Sequence, residues 1–460
     1  MASLPILTVL EESQLSPPVA TVGDRLLSLT FFDFMWLRLP PIHLLFFYEL
    51  SNITQTQFTE TIIPNLKHSL SITLQHFFPF AGKLFVYPTS TQKPEIHYVE
   101  GDSIMVTFAE CNLDFNELTG NHPRDCEMFY HLVPLLGQAD KTSDSTKIPV
   151  FSVQVTLFPN SGISIGMTNH HCLCDASMKI IFLKAWTSIA RFGSDKSFLA
   201  NGTLPFYGRV VKNAKLDENY LKFAKVESFK EEYQPWKLCG PTDKVRATFI
   251  LPWLVLNRMK TLVSTQLPTL AYVSSFTVAC AYIWSCIANT RKEELQVFRF
   301  LIDCRARMNP AIPTAYFGNC VIGGCMATEN TTLLTGREGF VTAAKLIGES
   351  VHRMLTDKDG VVKEIESFED LSSNRIPTTI IGVSGTQKIK FYDTDFGWGK
   401  PKKFEIVSID YNGSISMTAC RENDQDMEIG VCLPTTEMES LIRIFEQGLE
   451  AYIDFECRRL

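Results

Sequence analysis

TNHHCLCDAS, residues 168–177, sets two adjacent histidines, His170 and His171, ahead of Asp175, with Cys172 and Cys174 between them. The flanking residues decide the fold class. Upstream, VFSVQVTLFPNSGISIGMT (150–168) alternates with a period of two on either side of Pro159-Asn160-Ser161-Gly162, the pattern of a hairpin with its turn residues in place. Downstream, Ile181, Phe182, Ala185, Trp186, Ile189 and Phe192 share one helical face. The motif therefore lies on a strand-to-helix turn in a chain of mixed α/β character.

The same mixture runs along the chain. FTETIIPNLKHSLSITLQHFFPFAGKLF (58–85) places Ile62, Leu66, Leu70, Leu74 and Phe77 near a helical period, and Pro79 and Gly82 end it. VRATFIL (245–251) and LQVFRFLID (295–303) read as strands. SSFTVACAYIWSCIANTR (274–291), REGFVTAAKLIGESVHRML (337–355) and TTEMESLIRIFEQGLEAYIDF (435–455) read as helices. FEIVSIDYNGSISMTA (404–419) reads as a hairpin turning at Asn412-Gly413. No internal repeat or low-complexity tract interrupts these elements.

A chain of 460 residues exceeds one hydrophobic core, so two domains of roughly 200 residues are expected. Residues 193–245 are polar, broken by glycine and proline, and lack a sustained period. The crossover is placed there, giving an N-terminal domain at 1–199, a crossover loop at 200–218 and a C-terminal domain at 219–460, with a segment around 378–400 packing back on the first.

Composition narrows the function. At 45% hydrophobic and 20% charged, the chain is an ordinary globular protein. A net charge of −7 argues against nucleic-acid or anionic-membrane partners. No apolar run approaches the roughly 18 residues of a membrane span, and the start lacks the basic and apolar regions of a signal, so the cytosol is the expected compartment. Thirteen cysteines without a repeating spacing fit free thiols. The sequons at Asn52, Asn201, Asn330 and Asn412 are then expected to stay unmodified.

Three chemistries compete for the histidine motif. Zinc needs three or four converging ligands, whereas neighbouring His170 and His171 at a strand end project to opposite sides, and the HExxH and CxxC spacings are absent, so no metal is expected. A packing role is the second: Asp175 stands one residue before the helix, where its carboxylate caps free N–H groups beside a space-filling histidine. The third is a general base, since an imidazole fixed by the turn and facing a cleft can take a proton from a hydroxyl at neutral pH. Taken alone, the motif leaves packing and catalysis open.

A second cluster, YDTDFGWGKP (392–401), carries Asp395, Gly397, Trp398 and Gly399, which locally mark a tight turn with a packed indole. Together, HHCLCD and DFGWG resemble the signature of the plant BAHD family of acyl-CoA-dependent acyltransferases. FFDFMWL (31–37), FPFAGKL (78–84), FTVACAYIW (276–284) and DCRARMNPAIPTAYFGN (303–319) look like further landmarks of that family in the same order. The resemblance spans nearly the whole chain.

It implies a monomer of two similar-sized α/β domains of the chloramphenicol acetyltransferase-like fold, with a channel between them where acyl-CoA and a hydroxylated acceptor meet. It gives His171 the role of general base and Asp175 a structural one, paired with Arg305 or Arg307. No bound cofactor is implied, acyl-CoA being a co-substrate. Ser274 and Ser275, at the start of the 276–289 helix, and Lys260 are the candidates for its phosphates. N-capping by the serines and a solvated lysine account for these three equally well.

YFGNC (316–320), TLFPNSGISIGMTNHHC (156–172) and VSGTQKIKFYDTDFGWGKPKK (383–403) are similar to the branch that malonylates anthocyanin, flavonoid and other phenolic glucosides. A malonyl carboxylate needs a buried cation, and Lys179 stands where the branch is expected to carry arginine; a solvated lysine is the competing reading. Cys174 replaces a glycine usual in the family, and Cys304 replaces arginine of close relatives. These departures keep an acetyl- or hydroxycinnamoyl-CoA enzyme and a weakened paralogue in view. A serine hydrolase is disfavoured, because no G-x-S-x-G elbow is present.

Overall fold

The computed structural model describes residues 6–88, 90–224, 237–240, 242–271, 273–336, 338–356, 363, 379–411 and 413–453. The hairpin read around the turn at Asn160 forms as expected: Phe151–Phe158 pairs antiparallel with Gly162–Asn169. Asn160 takes a φ of 62°, a left-handed conformation that asparagine tolerates. Both strands are buried along their length at the centre of a six-stranded sheet, in the order Leu7–Leu15, Ile104–Cys111, Phe151–Phe158, Gly162–Asn169, Ile42–Glu49, Lys403–Ile406. A second, seven-stranded sheet runs Val321–Asn330, Leu295–Asp303, Thr379–Ser384, Ile415–Ala419, Met427–Pro434, Lys244–Leu251, Arg124–Asp125. A five-stranded sheet built on Lys83–Val86 and Glu95–Tyr98 completes the first half.

The two large sheets exchange strands. Lys403–Ile406, late in the chain, adds to Ile42–Glu49 in the first sheet, and Arg124–Asp125 adds to Lys244–Leu251 in the second. The hairpin expected over 404–419 therefore does not form. Lys403–Ile406 and Ile415–Ala419 lie in different sheets, joined by the 3-10 turn Val407–Tyr411; Asn412 itself lies outside the described residues. Thr379–Ser384 stays with the second sheet, whereas Phe391 already packs on Phe46, Thr394 bonds to the Tyr48 hydroxyl, and Phe396 and Trp398 pack on Trp186 and Tyr48. The polar stretch 193–245 also holds more order than its composition indicates, with helices at Lys196–Asn201 and Ala214–Ala224.

Buried ion pairs lock the exchange. Glu405, on the exchanged strand, meets Arg124 at 2.9 Å and Arg246 at 3.1 Å, and Arg246 also pairs with Asp410. Aromatic packing holds the helix Ala176–Phe192 against the first sheet: Phe182 stacks on Phe80 at 4.2 Å and meets Phe151 edge-on at 5.5 Å. The helix after the histidine motif is thereby fixed against the first half.

Candidate active site

The strand Gly162–Asn169 ends one residue before His170, whose N–H donates to Val150 O at 2.8 Å. From there the two histidines diverge. His170 is buried, 3% exposed, and its Nδ1 accepts from the Cys172 N–H at 3.4 Å. Burial lowers its pKa to about 4. His171 turns the other way and lies face to face with the Trp36 indole, ring centres 4.1 Å apart. Burial lowers its pKa to about 3, helped by the positive charge of Lys179. The imidazole is consequently neutral at physiological pH, the form that accepts a proton.

Asp175 serves the turn. As N-cap of the helix Ala176–Phe192 it accepts from the Met178 N–H at 3.2 Å. Its oxygens also accept from Arg305, Nη1 at 2.8 Å and Nη2 at 3.2 Å, and from the Cys320 N–H at 2.9 Å. Of the two arginines anticipated as its partner, Arg305 fills the role; Arg307 is exposed and bonds to the Asp303 carbonyl. Four donors thus converge on one carboxylate.

The loop facing the turn comes from the second half. Gly318 O accepts from Asp175 N at 3.5 Å, and Asn319 Nδ2 donates to the His171 carbonyl at 3.2 Å. Gly318 has a φ of 125°, and a Cβ there would stand 3.2 Å from Asp33 Oδ1. Glycine is needed at that point because the loop must press against a buried carboxylate. Trp36 and Asn319, which touch His171, and Asp33, which holds Asn319, lie within stretches recognised in the sequence, yet these contacts span too much chain for any local pattern to disclose.

Lys179 is buried, 7% exposed, on the inner face of the helix rather than in solvent. Its N–H donates to Asp175 O at 3.1 Å, while its ammonium makes no hydrogen bond or ion pair among the described residues. Burial lowers its pKa to about 8, against the raising influence of Cys174 and Asp175. Its charge in turn acts on the His171 imidazole. Cys174, in the position where a glycine was expected, is fully buried and does not have a positive φ, so the turn carries its Cβ without backbone strain. Cys304 is buried too and donates its N–H to Cys320 O at 2.8 Å, closing the loop that bears Arg305.

The remaining candidates are dispersed. Asp395 Oδ1 accepts from the N–H groups of Gly397 and Gly399 at 2.7 and 2.8 Å, and both glycines have φ near 90°. Trp398 packs on Phe396 and Tyr48, and Arg191 approaches Asp395 at 3.4 Å. The cluster is a turn stapled to the far end of the helix Ala176–Phe192, away from the histidine. Ser274 caps the helix Ser275–Ala288 by accepting from the Thr277 N–H at 3.0 Å; Ser275 follows at its first turn. Lys260 is partly exposed on the helix Trp253–Gln266 and bonds to neither serine. Among the described residues, the one grouping of metal-ligating side chains is Cys126, Asp410 and Cys432, which includes neither histidine. No helix among them is long and apolar enough to cross a membrane.

With this geometry in hand, the chain matches the model of the Transferase family over residues 7–448. The chain belongs to that family. Its members are the BAHD acyltransferases anticipated from the motifs, and the enzyme is an acyl-CoA-dependent acyltransferase. One relative is the malonyl-coenzyme A:anthocyanin 3-O-glucoside-6''-O-malonyltransferase of Dahlia pinnata, 52% identical over 98% of this chain and 100% of its own length. Another is phenolic glucoside malonyltransferase 1 of Nicotiana tabacum, 38% identical over 89% and 91% of the two chains. In fold the chain resembles vinorine synthase, with a TM-score of 0.67 and 19% identity over 94% of this chain and 96% of that one. The two mixed-sheet halves are thus those of a CoA-dependent acyltransferase.

Proposed function

We propose that this enzyme transfers a malonyl group from malonyl-CoA to a sugar hydroxyl of an anthocyanin, flavonoid or other phenolic glucoside, with His171 as general base. The observation that carries the donor is Lys179, a buried lysine whose ammonium has no partner among the described residues and whose charge acts on the imidazole. Leaving such a cation unpaired is costly, and a malonyl carboxylate supplies the missing charge where acetyl or hydroxycinnamoyl groups do not. The naming of the Dahlia and tobacco relatives supports the same reading.

The chemistry follows from the site. Neutral His171 takes the proton of the acceptor hydroxyl as its oxygen attacks the thioester carbonyl. The tetrahedral intermediate collapses, CoA leaves as the thiolate, and the imidazolium returns the proton to it. Asp175, held by Arg305, keeps the turn in place and takes no proton. Ser275, the N-terminus of the helix Ser275–Ala288 and Lys260 are placed by this reading at the CoA phosphates. Base, cation and ordering arginine all belong to this chain, so the reading needs no residue from a second subunit.

The decisive assay sets purified enzyme against malonyl-, acetyl- and coumaroyl-CoA, each with a panel of phenolic glucosides and their aglycones. Malonyl-CoA with a glucoside is expected to give the highest kcat/KM. Preference for a donor without a carboxylate, or for the aglycone, would overturn the assignment.

A further inference from the structure

An imidazole that works as a base is ordinarily oriented through its second nitrogen. Here Nδ1 of His171 is buried and meets no other residue, the ring's only polar neighbour being its own main chain, and Asp175 is fully engaged elsewhere. Beyond that main chain, the group that meets the ring is Trp36, whose plane lies within 7° of the imidazole. Trp36 follows the short helix Phe31–Phe34, and its N–H donates to Asp33 O at 3.1 Å. Asp33 sits three residues back on the same turn, fully buried. Its Oδ2 accepts from Thr30 N and Oγ1 at 3.0 and 3.1 Å, and its Oδ1 accepts from Asn319 N and Nδ2 at 2.8 and 3.2 Å. Asn319 Nδ2 also reaches the His171 carbonyl. One turn of chain therefore clamps the histidine twice, its ring through Trp36 and its main chain through Asp33 and Asn319.

We propose that Trp36 is the positioning residue of the base: its π face fixes the imidazole plane and stabilises the imidazolium that forms as His171 takes the acceptor's proton. Tryptophan presents the strongest aromatic face to a cation, and the effect grows where water is excluded. The stack stabilises the charged ring more than the neutral one, so it lowers the barrier without tightening substrate binding. This inference rests on His171 being the base.

The experiment replaces Trp36 alone with mono-, di- and trifluorinated tryptophan, which nearly keep its shape while weakening its negative face. Turnover is followed with malonyl-CoA and with acetyl-CoA. The expected result is a stepwise fall in kcat, about 10-fold across the series, with KM and melting temperature unchanged. Trp36→Phe should retain part of kcat, and Trp36→Leu less. A flat kcat across the fluorinated series overturns the proposal, as does a fall in which KM or melting temperature moves in step. His171→Ala separates the two levels: an active His171→Ala enzyme refutes the base itself, whereas an inactive one with a flat fluorinated series refutes only Trp36.

Discussion

Arg305 grips Asp175 through two hydrogen bonds, Nη1 to Oδ2 at 2.8 Å and Nη2 to Oδ1 at 3.2 Å, so a residue of the second half neutralises the carboxylate that starts the helix of the first. Both side chains are 4% exposed. Asp175→Asn keeps a good N-cap but leaves the buried guanidinium only the half-exposed Asp303, 3.5 Å from Nη1, as counter-charge. Stability should fall by about 3 kcal/mol, and turnover with it as the turn loosens. Thermal unfolding beside steady-state kinetics decides: an unchanged melting temperature with turnover abolished would instead make Asp175 a participant in proton transfer.

His171→Ala should lose about 10²–10⁴-fold in kcat while the melting temperature stays near that of the parent, because only the proton acceptor goes. The pH profile of the parent carries a second expectation. With the imidazole's pKa lowered to about 3, His171 remains neutral down through pH 5, so kcat/KM should show no acid limb centred near 6.5. A limb at or above pH 6 would show that water reaches the ring.

Acid stability depends on two other histidines. His43, 1% exposed between Thr168 Oγ1 and the Tyr411 hydroxyl, is lowered by burial to about 3, and His170, 3% exposed, to about 4. In the unfolded chain each takes a proton near the ordinary value of 6.5. Their contribution is therefore complete above pH 6.5 and is lost as pH falls from there towards 4, at up to about 1.4 kcal/mol per pH unit for each. Urea unfolding at pH 7, 6 and 5 reads the slope, and His43→Gln should flatten it; equal slopes in the two proteins would remove His43 from the account.

Where the sequence was legible follows from range. The hairpin at 151–169 and the helix Ala176–Phe192 are local, and their periodicity and turn residues sufficed. FEIVSIDYNGSISMTA failed because alternation marks a strand without naming its neighbour: Phe404 pairs with Phe46 across most of the chain, and Ile415 with Val431. The site divides the same way. His171 and Asp175 stand on a single turn with a readable cap, but the choice of Arg305 over Arg307 depends on a loop folding back over 130 residues. Lys179 was ambiguous because the helix is covered on more than one face, with Met178, Lys179, Phe182 and Leu183 all buried. Helical period alone cannot tell such a lysine from a solvated one.

Lys179 carries the donor assignment, and its variants test it directly. In the absence of donor Lys179 is buried and its ammonium has no partner among the described residues, with a pKa lowered to about 8. A bound malonyl group would place a carboxylate against it, whereas acetyl-CoA would leave it as it is. Lys179→Ala should then cost malonyl-CoA about 2–4 kcal/mol in kcat/KM, roughly 30- to 1000-fold, and leave acetyl-CoA nearly unaffected. Lys179→Arg should keep or improve malonyl transfer, since guanidinium offers a carboxylate two parallel hydrogen bonds. The sign of the pH dependence is also fixed. The free enzyme loses this charge as pH rises through about 8, so the preference for malonyl- over acetyl-CoA should weaken between pH 7 and 9 and disappear in Lys179→Ala. Parallel kinetics with the two donors at both pH values separate the readings: equal losses for malonyl- and acetyl-CoA would show that Lys179 shapes the turn around His171 instead of reading the acyl group.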